Sequence, residues 1–208
     1  MKHDPWETFH LSLRGKFHLE LPVITKFLKK EKVQKVLDFC CGAGRNSIYL
    51  SRQGFIVYGF DRSENAIARA KSTMKEDKLK AHLIVRDMFD PLPYKDGFFD
   101  AVFSIRAMYH GKLVNLRKVI VEVARVIKVG GFLYWHGATV KGWKKYNKSN
   151  EYKLLEDMTY LSTEGEFKGT VRHFFNKEKE IVKFLKGHFN IISIEFRNND
   201  YYVIAQKK

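Results

Sequence analysis

Residues 33–61 constrain this chain more than any other stretch. An apolar run from Val33 to Phe39 leads into Cys40-Cys41-Gly42-Ala43-Gly44-Arg45-Asn46-Ser47, and a second apolar run, Phe55 to Phe60, ends at Asp61. A buried strand, a glycine-bearing turn, a helix and a second strand closing on a carboxylate make a βαβ unit whose turn is built to meet a ligand. Gly42 and Gly44 let the backbone come close to a bound molecule, and the helix start that follows offers N–H groups to an anion. Asp61 stands seventeen residues past Gly44, near the spacing at which such units set an acid on ribose hydroxyls. The third glycine of the dinucleotide pattern G-x-G-x-x-G falls on Ser47, which demotes a nicotinamide or flavin ligand.

The pattern continues as strand–helix alternation. Ser63 can cap a helix reaching toward Lys75, Ala81–Val85 reads as a third strand and Asp100–Ser104 as a fourth. Leu113, Leu116, Ile120, Val123 and Ile127 recur at spacings of 3, 4, 3 and 4, the mark of one buried helical face. Gly130-Gly131 should end that helix, and Phe132–Ala138 makes a fifth strand. Asn176 is placed to cap a helix carrying Ile181, Phe184 and Leu185. Ile191–Phe196 and Tyr201–Ala205 then form two strands joined through Asn198-Asn199-Asp200. The predicted fold is α/β: a mostly parallel sheet with helices on both faces and a C-terminal antiparallel edge hairpin.

A length of 208 residues suits one domain, 1–208, with room for a buried core. Residues 1–32 precede the first strand and carry Trp6, Phe9, Phe17 and the stripe Ile24/Phe27/Leu28. They read either as a lid over the ligand or as a helix on the sheet edge. The polar stretch 139–172 carries Lys141, Trp143, Lys144, Lys145, Tyr146 and Lys148 and reads as a substrate-side cap or a surface loop. No apolar run approaches the ~20 residues of a membrane span, the start is no signal peptide, and two adjacent cysteines build no disulfide framework. The default is a reducing cytoplasm, without membrane association and without a metal site. The net charge of +15 rests on lysine, 27 of the 38 basic residues, scattered over most predicted helices. Scattered lysine fits a solvated surface, with a nucleic-acid footprint as the alternative.

The successive motifs resemble those of the class I S-adenosylmethionine (SAM) dependent methyltransferases, in that family's order. Asp38 with the Gly42/Gly44 turn resembles the first motif and Tyr58-Gly59-Phe60-Asp61-Arg62-Ser63 the second. Arg86-Asp87-Met88 resembles the third. Leu92-Pro93-Tyr94 with Phe98 to Ser104 resembles the fourth, and Arg125 to Gly131 the turn before the fifth strand. The resemblance covers residues 33–138 closely and the C-terminal thirty or so in pattern. It implies a seven-stranded Rossmann-like sheet and SAM as cofactor. Asp38 and the turn through Cys40, Gly42, Gly44, Arg45 and Asn46 would hold its methionine end. Asp61 would take the ribose, Arg62 would flank the adenosine, and Asp87 with Met88 would take the adenine. The family usually has Gly where this chain carries Cys40. Among its members the chain is similar to the type 11 and tellurite-resistance-like small-molecule group, whose His-aromatic stretch His173-Phe174-Phe175-Asn176 resembles.

Methyl transfer from a sulfonium asks the protein mainly to align acceptor and methyl and to exclude water. The fourth strand runs into Ser104-Ile105-Arg106-Ala107-Met108-Tyr109-His110. Ser104 and Ile105 are placed to touch the cofactor, and Tyr109 and His110 are the acceptor-side catalytic candidates, His110 as base or as an orienting partner. His136 is a second candidate. His173 is either functional or ties the insertion to the core. Asp90-Pro91-Leu92-Pro93-Tyr94 looks like the D-P-P-Y motif of base-methylating enzymes, but it precedes the fourth strand rather than following it. The expected activity is methylation of a small molecule, with RNA or tRNA as the alternative acceptor and a non-catalytic SAM-binding module as the third reading. Asp61→Ala is then expected to abolish SAM binding and leave the fold intact.

Overall fold

In chain order the elements are α1 (Leu21–Lys30), β1 (Lys35–Phe39), α2 (Arg45–Arg52), β2 (Ile56–Asp61), α3 (Glu64–Glu76), β3 (Ala81–Val85), β4 (Phe99–Ile105), α4 (Leu113–Val126) and β5 (Ile127–Ala138). There follow α5 (Val140–Tyr146), β6 (Tyr152–Glu156), β7 (Thr159–Ser162), β8 (Val171–His173), α6 (Glu178–Leu185), β9 (Phe189–Arg197) and β10 (Asp200–Lys207). This is a computed structural model, and it describes residues 5–7, 18, 20–146 and 152–208. Phe9, Phe17 and Lys148 lie outside those residues. Seven strands hydrogen-bond in the order β3-β2-β1-β4-β5-β10-β9, and a separate three-stranded sheet runs β6-β7-β8.

By contact pattern the chain falls into two units, one of residues 1–92 with 99–103, the other of residues 93–98 with 104–208. In the first, β1 pairs in parallel with β2 on one side and β4 on the other, and β2 pairs in parallel with β3. A central parallel strand is apolar throughout rather than alternating, and Val36 to Phe39 are all buried. Asp100 Oδ2 accepts the Gln34 and Lys35 N–H groups, both at 2.8 Å, and so fixes where β1 begins. Ser63 caps α3 as its sequence predicts, its hydroxyl accepting the Ala66 N–H at 3.0 Å.

In the second unit β10 runs antiparallel to both β5 and β9. The β9–β10 turn is Asn198-Asn199, with φ of 53° and 65°. Both positions of this two-residue loop are left-handed, a conformation asparagine tolerates better than most side chains. Trp135 is fully buried with Phe175 and Phe184 at 5.0 and 5.7 Å, the centre of this unit's core.

Three details differ from the sequence reading. α4 ends at Val126, four residues before Gly130: Ile127, expected on the helical face, is already extended and is the first residue of β5. Its carbonyl accepts from the side-chain Nζ of Lys207 at 2.6 Å, outside the paired segment Phe132–Ala138. Asn176 is not the cap of α6. Lys177 takes that position, Glu180 accepts the N–H groups of Asn176 and Lys177 at 2.9 and 3.1 Å, and the Asn176 side chain accepts the Val140 N–H instead. The insertion 139–172 carries structure of its own, α5 and the small sheet, whose first strand is largely exposed and so shows no alternation in sequence.

Candidate functional site

In the first unit, the C-terminal ends of β1 and β2 bring an acid cluster to the glycine turn. Asp38 is 1% exposed and accepts the Ser47 hydroxyl at 2.5 Å. Ser47 therefore stands in the third-glycine position to bond an acid. Burial, the largest influence, raises the Asp38 pKa from 3.8 to about 6; the Ser47 hydrogen bond and Arg45 pull the other way. A carboxyl whose folded pKa is the higher one binds its proton more tightly in the fold than in the unfolded chain. Its contribution to stability is thus lost as pH rises from about 4 through about 6, about 3 kcal/mol in all. Asp38→Asn is accordingly expected to be the more stable protein at pH 7.5, with the advantage shrinking below pH 6. Denaturant unfolding of both at several pH values checks this, and a difference that does not change with pH would count against it.

Asp61 is 5% exposed, and both its oxygens hold backbone: Oδ2 accepts the Gly42 N–H at 2.8 Å and Oδ1 the Ser63 N–H at 3.0 Å. One carboxylate thus ties the glycine turn to the start of α3, and each oxygen keeps a further lone pair to offer. Gly42 and Gly44 have φ of 54° and 76°, and Cys40 shares the left-handed region at 56°. Cys40 therefore adopts the backbone that the family's glycine would, at a cost of about 1–2 kcal/mol for its Cβ. Its thiol is pushed well up, first by burial and then by the charges of Asp61, Asp87 and Asp38, with Arg62 opposing. It stays protonated and is no nucleophile. Arg62 pairs with Asp87 at 3.7 Å, and Asp87 Oδ1 accepts the Phe89 N–H at 3.0 Å, with half-buried Met88 between. Arg45 and Asn46 open α2.

The residues after β4 belong to the second unit. Ser104 is buried, its Oγ accepting the Met108 N–H at 3.3 Å, and Ile105 is 8% exposed. Arg106 has φ of 55° and donates its N–H to the His136 carbonyl at 3.2 Å. Tyr109 is buried in an aromatic cluster with Trp143 and Phe174. His110 lies against the Tyr109 ring at 4.3 Å and bridges Arg172 of β8, while the Tyr109 carbonyl accepts the His173 N–H at 2.8 Å. Burial, then Arg172, holds the His110 imidazole well below its ordinary pKa. The ring is neutral at pH 7, the form a proton acceptor needs, though a weak base. His136 is buried, with Nε2 3.2 Å from Asp200 Oδ2 and its ring stacked on Tyr202 at 4.5 Å. His173 Nδ1 shares a hydrogen bond with Thr159 Oγ1 at 2.8 Å, which holds β8 to β7.

Residues 36–131 match the family model described as a methyltransferase domain. A crystal structure of a SAM-dependent methyltransferase from Methanosarcina mazei superposes with a TM-score of 0.73 and 26% identity, over 89% of this chain and 97% of that one. Over residues 36–131 the chain is similar to the SAM-dependent methyltransferases, and it shares their fold over most of its length. The PH0226 protein from Pyrococcus horikoshii superposes on this chain with a TM-score of 0.81 and 27% identity, over 99% of this chain and 96% of that one. A Synechocystis protein described as an uncharacterized methyltransferase is 37% identical over 98 residues, 47% of this chain and 44% of its own length. The chain spans about half the length of the curated relatives it matches.

Three features of this chain carry no signal in its sequence. Glu7 accepts the N–H groups of Glu64 and Asn65 at 3.0 and 3.1 Å and the Ser63 hydroxyl at 3.0 Å, so a carboxylate from the N-terminal segment sits on the positive end of α3. Asn46 Oδ1 accepts the His18 N–H at 3.1 Å, a second tie from that segment to the glycine turn. Trp143, which stands among lysines in the polar stretch 139–172, is 7% exposed and stacks on Phe174 at 5.0 Å.

Proposed function

We propose that this chain is a class I SAM-dependent methyltransferase that moves the methyl group of SAM to a small-molecule acceptor, as a single catalytic domain working in the cytoplasm. The observation that carries the cofactor assignment is Asp61, a buried carboxylate locked by the Gly42 and Ser63 N–H groups beside a left-handed glycine turn. Its orientation is set in advance of any ligand, which is what a ribose-binding acid needs. Asp38, Cys40, Gly42, Gly44, Arg45 and Asn46 are assigned to the methionine end, Asp61 to the ribose, and Arg62, Asp87 and Met88 to the adenosine. Ser104 and Ile105 are assigned to the cofactor from the strand that follows. Bound SAM supplies a methyl group on a sulfonium, already a good leaving group. The chain's part is to orient the acceptor, exclude water and, for an acceptor that sheds a proton, receive it on the neutral ring of His110, with Tyr109 flanking.

Relatives support a small-molecule acceptor: a demethylmenaquinone methyltransferase of Leptospira interrogans is 31% identical over 137 residues, and a chloroplastic tocopherol O-methyltransferase of Arabidopsis thaliana 30% over 141. An RNA acceptor has the charge of +15 and a ribosomal RNA methyltransferase of Alcanivorax borkumensis, 30% identical over 107 residues, in its favour. Against it, Trp143 is buried in the cluster and cannot stack a base. We assign the N-terminal segment to a lid, on the Glu7 and His18 contacts, and residues 139–172 to the acceptor-side cap. Calorimetric titration with SAM, its demethylated product and NAD tests the cofactor assignment. Micromolar binding of the first two and none of the third is expected; silence from SAM would overturn it.

A further inference from the structure

Arg172 sits on β8, at the C-terminal end of the insertion, and is 5% exposed. Among the described residues its guanidinium makes one side-chain hydrogen bond, from Nη1 to Ser162 Oγ at 2.8 Å, and no carboxylate lies within ion-pairing distance. The rest of its surroundings are rings: Phe167 at 5.0 Å and Trp143 at 5.7 Å from the guanidinium carbon. A full positive charge on a residue 5% exposed is thus set against one neutral hydroxyl and two π-faces. Buried arginine is ordinarily matched by an acid, because the planar fork makes paired hydrogen bonds with two oxygens of one group. Here the chain supplies the cation, the aromatic walls and one anchoring hydroxyl, and the acid is missing. The neighbours sharpen the point. His110 is bridged to Arg172, and burial first, then the charge of Arg172, keeps its ring neutral. A neutral acceptor gains nothing from such a field; an anionic one does.

We propose that Arg172, with Ser162 and flanked by Trp143 and Phe167, is a binding subsite for the oxyanion of an acidic small molecule. The molecule carries a carboxylate or phosphate on a flat apolar body, and the acceptor of the proposed methyl transfer is therefore an organic acid. The net charge of +15 is then a field that draws such a ligand in. This rests on the small-molecule reading above, and the test separates the two. Benzoate, phenyl phosphate and neutral benzamide are titrated into the full chain by calorimetry, with and without the demethylated cofactor product. Benzoate or phenyl phosphate should bind, the better of them naming the oxyanion, with benzamide weaker by about 10- to 100-fold, the range for losing hydrogen bonds to a charge. Arg172→Gln should erase the difference between acid and amide while SAM still binds as in the parent chain. Arg172→Lys should recover only part of it. Equal binding of benzoate and benzamide by the parent chain, or no binding of either acid, overturns the subsite whether or not the variants fold. SAM binding would meanwhile leave the methyltransferase reading standing. Acid binding without SAM binding would do the reverse.

Discussion

Replacing Asp61 by alanine should weaken SAM binding by about 100-fold or more, the loss expected when a charged hydrogen-bonding partner is removed from a buried site. The structure adds a consequence that the sequence alone does not reveal. The carboxylate holds the Gly42 and Ser63 N–H groups, so alanine leaves two buried donors without acceptors, at about 1–3 kcal/mol each. The variant should therefore lose stability as well as affinity, and the expectation of an undisturbed fold gives way to one of a loosened turn. Asp61→Asn separates the two effects. An amide oxygen can still accept one of the two N–H groups in the same volume, so up to about half of the lost stability should return, while the charge on the ribose side is gone. Thermal unfolding and SAM calorimetry on both variants check the partition. If folded Asp61→Asn bound SAM as the parent chain does, the ribose assignment to this acid would be wrong.

What could be read from sequence follows from where the information is local. The βαβ unit was legible because a central parallel strand is apolar throughout and ends at a glycine turn, and Val36–Phe39 is buried throughout. Ser63 as a cap, Ala81–Val85 as a strand and Asn198-Asn199 as a turn are each set by side chains within a few residues of the backbone they control. The misreadings arise where a distant partner decides. Ile127 fits the helical period, yet its carbonyl is claimed by Lys207, eighty residues on, and it begins a strand instead. Asn176 is a good cap by type, but Val140 engages its oxygen. The small sheet β6-β7-β8 hides because its first strand is exposed, and alternation needs one buried face. In the site, the acids were legible from spacing along two adjacent strands. Glu7 on α3 and Arg172 beside His110 were not, since each works through a contact with a part of the chain remote in sequence.

Gly44→Ala should be the most disruptive single-methyl change in the turn, for a reason the motif does not state. The glycine reads in sequence as room for a ligand. In the structure the space where its Cβ would stand is taken by α3: a methyl built there meets the Ala70 Cβ at 2.7 Å and the Ala70 Cα at 3.5 Å. Neither atom can rotate away, so α2 and α3 must part. The residue's φ of 76° adds the left-handed penalty, about 1–2 kcal/mol, to an overpacking term of about 1–3 kcal/mol. Because α3 is capped by Ser63, whose N–H is bound by Asp61, parting the helices also pulls on the acid that orients the ribose site. SAM affinity should therefore fall even though no ligand-facing atom has been changed. Gly54 supplies the control: its φ is 89°, and nothing lies within 4 Å of the Cβ it would carry. Gly54→Ala should cost the conformational part alone and leave SAM affinity untouched. Adding Ala70→Gly to Gly44→Ala removes the colliding methyl and should restore the packing part, less about 0.5–1 kcal/mol for a glycine inside a helix. Equal losses at Gly44 and Gly54, or no rescue by Ala70→Gly, would mean that helix packing does not set this turn and that the glycine serves the ligand directly.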